Sequence, residues 1–149
     1  MSAIRETVDI DRSPEEVFSY ITDPSHMPEW QQSAVSAHRV GGAPMSVGSR
    51  VKATWQLGRL QFPMTMEVTE FDPPRSWRLR GVEGPARGEV HGTIEPLDDG
   101  ARSRLTIDLD FESYGLGRAL VPLVLRPRAR KELPHDEQTL KNLLEQGAA

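Results

Sequence analysis

The feature that most constrains this chain is a run of alternating apolar and polar residues that continues, reversal after reversal, from Ser33 to Glu112. Val51, Ala53, Trp55 and Leu57 alternate with Arg50, Lys52, Thr54 and Gln56. Phe62, Met64, Met66 and Val68 alternate with Pro63, Thr65, Glu67 and Thr69, and Trp77 and Leu79 with Ser76, Arg78 and Arg80. Val90 and Ile94 lie in phase with Gly88 and Gly92. Leu105, Ile107, Leu109 and Phe111 oppose Thr106, Asp108, Asp110 and Glu112. A period of two is the signature of strands with one buried face. Turn residues separate the runs: Gly41-Gly42, Gly58-Arg59, Asp72-Pro73-Pro74 and Asp98-Asp99-Gly100. Gly58-Arg59 suits a two-residue hairpin.

A further strand precedes these, with Ile4, Val8 and Ile10 on one face and Arg5, Thr7, Asp9 and Asp11 on the other. A helix start follows: Ser13 as cap, Pro14 in the first turn and Glu16 three residues after Ser13. Asp23-Pro24 ends that helix, because the residue before proline is pushed out of the α region. A short helical turn is expected through Pro28-Glu29-Trp30. The expected class is therefore α+β, with about seven strands in an antiparallel meander and two short helices after the first strand. A sheet apolar on one face needs a cover. Leu133, Glu137, Leu140 and Leu144 recur at helical spacing beside Leu143, so the final segment is expected to supply it. Pro122, Pro127 and Pro134 predict a broken or bent helix there, since an interior proline costs about 3 kcal/mol or more.

Composition narrows the function. At 149 residues the chain is expected to form a single domain over 1–149. Hydrophobic residues at 37% and charged residues at 27% are those of a folded protein. A net charge of −4 gives no reason to expect nucleic acid. No apolar run approaches the roughly 20 residues that span a bilayer, and the N-terminus lacks a secretory pattern. With no cysteine there are no disulfides, thiolate metal sites or thiol nucleophiles, and the cytoplasm is the expected location. An edge strand of the sheet could pair, so monomer and homodimer both stay open.

The order and spacing of several short motifs resemble one superfamily. They are Ile10-Asp11-Arg12-Ser13-Pro14-Glu15-Glu16-Val17-Phe18, then Asp23-Pro24 followed by Pro28-Glu29-Trp30. Gly48-Ser49-Arg50 opens a strand, Glu70-Phe71-Asp72-Pro73-Pro74-Arg75 lies between two strands, and Leu140-Lys141-Asn142-Leu143-Leu144-Glu145 comes at the end. The pattern is similar to the SRPBCC superfamily of START domains, the birch-pollen allergen and polyketide cyclases, and most of all to its polyketide cyclase/dehydrase-like group. The resemblance implies a helix-grip fold, in which a curved antiparallel sheet wraps around a long C-terminal helix. It also implies a hydrophobic or aromatic ligand between sheet and helix, no cofactor and no fixed catalytic set.

The large residues of the apolar face are the expected ligand contacts: Trp55, Phe62, Met64, Met66, Trp77 and Phe111. Trp30 is expected to close one end. Plain core packing also needs large residues there, but adaptable methionines and a mostly apolar wall suit a pocket. Short catalytic motifs are absent from the sequence. His91 and Glu95 have metal-binding identities, yet four strand residues span about 13 Å, too far for shared coordination. Glu89 and His91 share a polar strand face, for which solvent exposure is the stronger reading. Glu6, in phase with Val8 and Ile10, Arg39, in phase with Val35 and Ala37, and Tyr114 at the entry to the final segment are the catalytic candidates. For Glu6 and Arg39 a strand end open to water is the stronger reading. Two functions follow: a binding module for an apolar metabolite (lipid, polyketide or similar), or a cofactor-free cyclase or dehydratase working in the same cavity. A groove receiving a lipid tail or partner segment is a third.

Overall fold

A computed structural model describes residues 4–41, 44–57, 59–83, 86–113 and 126–146. The alternating runs form seven strands: β1 (Ile4–Ile10), β2 (Ala34–Arg39), β3 (Arg50–Leu57), β4 (Leu60–Asp72), β5 (Ser76–Glu83), β6 (Ala86–Leu97) and β7 (Arg102–Ser113). They make one curled antiparallel sheet in the order β1-β7-β6-β5-β4-β3-β2. β2 to β7 are a meander, and β1 closes the sheet beside β7. Helices α1 (Pro14–Ile21) and α2 (Met27–Trp30) follow β1, and α3 (Arg126–Glu145) ends the described chain.

Local chemistry explains the ends of these elements. The Ser13 hydroxyl accepts from the Glu16 N–H at 3.3 Å, one half of a capping box. The Glu16 carboxylate turns instead to the Ser13 hydroxyl and to Arg12, 3.4 and 3.7 Å away. β3 and β4 pair down to Leu57↔Leu60, as a two-residue hairpin requires; Gly58 itself lies outside the described residues. At the β6–β7 turn Asp98, Asp99 and Gly100 all take positive φ, a geometry favoured by aspartate and glycine. Register sets up cross-strand pairs on the polar face: Arg5 opposite Asp108 at 2.6 Å, and Arg104 opposite Asp9 at 2.8 Å.

Three details depart from the alternation and proline patterns. Within the described part of the final segment the helix is unbroken: α3 continues through Pro134 over 20 residues. Pro134 is exposed, so its ring is turned away from the packed face. Pro122 lies outside the described residues. In β2 a register shift between Ala34 and Ser36 turns Val35 outward, 46% exposed, while Ala34 is buried. Ala37 keeps the inner register opposite Ala53, but Arg39 is exposed at the strand end. A second shift between Thr65 and Met66 accompanies burial of Thr65, a residue expected on the polar face.

The core joins α1 and α3 to the inner face of the sheet. Leu140 and Leu144 of α3 are fully buried and cluster with Ile10, Val17, Leu105 and Ile107. Burial on that scale contributes about 1.5–3 kcal/mol per large aliphatic side chain. Polar ties hold the same half of α3 to the β1–α1 junction. Lys141 donates to the Asp9 carbonyl at 2.8 Å, and Glu145 accepts from the Asp11 N–H at 2.8 Å. Trp77 lies directly over Gly92, its cross-strand partner: a Cβ on Gly92 would sit 2.1–2.4 Å from the indole ring. Glycine is there because the ring needs the space. No helix among the described residues is long and apolar enough to cross a membrane.

Candidate ligand cavity

The C-terminal half of α3 is packed tightly, and its first half is not. Between residues 128–136 and the inner sheet face lies a cavity of about 190 Å³. Its lining includes Trp30, Trp55, Phe62, Met64, Met66 and Trp77, from α2, β3, β4 and β5. These are six of the seven expected contacts, five from the alternation and Trp30 from the helical turn. The side chain of the seventh, Phe111, lies outside the described residues. Members of two separate packed clusters share the wall: Trp30, Trp77 and Leu133 belong to one, Met66 and Trp55 to the other. The cavity lies between the two clusters, and Leu79, which packs against both, is also part of its wall.

Polar groups are confined to one side. Arg128, Glu132 and Asp136 succeed one another by turns of α3, with Ala129 and Leu133 between them, and Gln31 and Ser33 face them from the segment before β2. Arg128 Nε is 2.7 Å from Glu132 Oε1, and the Ser33 hydroxyl donates to both Glu132 oxygens at 2.9 and 2.7 Å. Asp136 is 7% exposed and accepts the Gln32 backbone N–H at 3.3 Å. Burial lifts its pKa from 3.8 to about 6, with the Glu132 charge adding to the rise and the Gln32 and His135 contacts opposing it. Trp55, paired with Ala34 next to Ser33, keeps its indole N–H buried without an acceptor among the described residues.

The catalytic candidates stand apart from this arrangement. Glu6 is half-buried on the inner face of β1, where its charge bears on Glu137 of α3. Arg39 acts electrostatically on Asp23, near the end of α1. Neither is among the described residues lining the cavity. Tyr114 lies outside the described residues. Glu89 and His91 are half-buried in an ion-pair network on the sheet: Arg78 bonds Glu89 at 2.5 Å, and His91 lies 3.4 Å from Glu70. Glu95 is 3.9 Å from Arg104. No cluster of three or more histidine and acidic side chains among the described residues is placed to hold a metal ion.

The sequence reading picks out none of Arg128, Glu132 and Asp136. The available signal was helical spacing: Ala129, Glu132, Leu133 and Asp136 fall on one face, so the carboxylates share the face of the apolar stripe.

A family model described as polyketide cyclase / dehydrase and lipid transport matches residues 1–145. The chain belongs to this family. No curated protein matches the sequence. Among solved structures it is similar to the Zhui aromatase/cyclase of Streptomyces sp. R1128, with a TM-score of 0.81 at 14% identity, covering 99% of this chain and 95% of that one. A START superfamily protein of Mycobacterium smegmatis superposes with a TM-score of 0.79 at 18% identity, covering 98% and 99%. A conserved protein of Geobacillus kaustophilus gives 0.74 at 21%, covering 98% and 96%. Identities this low speak for the shared fold, and the family's helix-grip architecture is the one seen here.

Proposed function

We propose that this protein binds a hydrophobic or aromatic small molecule, a lipid, polyketide or similar metabolite, in the cavity between sheet and α3. The observation that carries the reading is the cavity of about 190 Å³ with an aromatic and methionine wall and its polar groups gathered on one side. For comparison, an apolar cavity of roughly 150 Å³ is enough to admit benzene. An apolar body would lie against Trp55, Met64, Met66 and Trp77, and a ligand oxygen would satisfy the Trp55 N–H. The family, whose description includes lipid transport, supports the same class of ligand. Native mass spectrometry of protein purified from its own host tests this directly. The expected result is a non-covalent adduct of one small apolar molecule. Unliganded protein with no thermal shift across a lipid and polyphenol library would refute it.

One observation favours a second reading, a cyclase or dehydratase. Asp136, in the cavity wall, has a pKa of about 6 and so can give and take a proton near neutral pH. The similar aromatase/cyclase fold is consistent with it. If this reading holds, a linear polyketone incubated with the protein should cyclise, and Asp136→Asn should abolish the product.

A further inference from the structure

The charges around the cavity are unequal, and this bears on which ligand it accepts. Among the described lining residues three side chains ionise: Arg128, Glu132 and Asp136. The single cation is already committed, since Arg128 is bonded to Glu132 at 2.7 Å. Glu132 is further engaged by the Ser33 hydroxyl. Asp136 is left with no arginine or lysine partner among the described residues. It is faced by Gln32, through a long 3.3 Å backbone bond and a side-chain contact, and by Glu132 and His135 on its own helix. α2 brings only Met27 and Trp30 to this wall, its Glu29 being tied to the Tyr20 hydroxyl at 2.9 Å.

Resting on the binding role proposed above, we infer that the cavity selects an aromatic or otherwise apolar amine, its ammonium seated against Asp136, and rejects carboxylates such as free fatty acids. An ammonium donating to a carboxylate makes a charge-assisted hydrogen bond, about twice as strong as a neutral one. Three tryptophans line the same space, and their faces attract a cation. A ligand carboxylate would enter beside two carboxyl groups with the only described cation already paired. Burying a charge without a partner is heavily unfavourable.

Three probes of nearly equal shape separate the possibilities: naphthylmethylamine, naphthalenemethanol and naphthoate, titrated into the full chain by calorimetry. At about pH 8, where Asp136 is ionised and the amine charged, the amine should bind about tenfold tighter than the alcohol. The carboxylate should bind at least about tenfold weaker than the alcohol. Asp136→Asn should bring the amine down to the level of the alcohol, read as the ratio of the two affinities within that variant. A carboxylate that binds as well as the amine overturns the inference, and the unaltered protein alone supplies that comparison. An amine preference that survives Asp136→Asn, in a variant that still binds the alcohol, also overturns it. Alcohol binding without amine preference defeats only the charge selection. If none of the three binds, the binding role falls with it.

Discussion

Glu137 stands in the apolar stripe of α3, between Leu133 and Leu140, and is 2% exposed. Its Oε2 has no hydrogen-bond partner among the described residues. Burial, and secondarily the charge of Glu6, raise its pKa from 4.5 to about 8. The folded protein therefore holds this carboxyl neutral at pH 7, while the unfolded chain ionises it. Below about pH 4.5 both states are protonated and its contribution to stability is complete. From there to about pH 8 the unfolded state binds fewer protons, so stability falls, by at most about 1.4 kcal/mol per pH unit. Above that window the loss is complete, on the order of 5 kcal/mol. Glu137→Gln removes the titration and keeps the shape. Urea unfolding of both proteins, followed by tryptophan fluorescence at about pH 5, 6, 7 and 8, gives the difference directly. The variant should gain on the parent by about 1 kcal/mol or more per pH unit across this range. Any fixed penalty for the buried amide enters the intercept, and titrations common to both proteins cancel. A difference that stays flat from pH 5 to 8 would refute the reasoning, because it would mean the folded carboxyl is already ionised.

Gly92→Ala should drive a methyl group into the Trp77 ring, lowering stability by about 1–3 kcal/mol and changing tryptophan emission. Unaltered emission and stability would show that the indole does not rest on that glycine. Leu140→Ala, at a fully buried position, should cost about 2–5 kcal/mol in urea unfolding. Arg5→Ala removes a 2.6 Å ion pair whose arginine side chain is 72% exposed, and should leave the urea midpoint essentially unchanged.

The strands were legible because one face of the sheet is packed and the other wet, so burial is written as alternation. The same pattern located the sheet side of the cavity wall: residues such as Trp55, Met66 and Trp77 must face inward whether they meet a ligand or each other. What alternation cannot carry is a change of phase. The shift at Ala34/Ser36 turns Val35 out, and nothing in the spacing of Val35, Ala37 and Arg39 announces it. Pro134 misled in the opposite direction: it is expensive in a helix, but it is an exposed residue in a segment fastened at Glu132, Lys141 and Glu145. Glu137 stood in the apolar stripe by its spacing, but Glu132 and Asp136 were hidden by their identity. They look like ordinary solvent-facing helix residues unless their spacing from Ala129 and Leu133 is followed, and the approach of Ser33 and Gln32 shows that they are not.

Whether an apolar ligand occupies the space under the first half of α3 is tested most sharply at Ala129. Ala129 is half-buried on the helix and lines the cavity, so Ala129→Phe should fill it without disturbing Leu140 or Leu144. The measurement is calorimetric titration of the parent and of this variant with naphthalenemethanol. Saturable one-to-one binding to the parent, lost in a variant that still unfolds cooperatively, is the predicted result. Equal binding by the two proteins would place the ligand elsewhere and contradict the account.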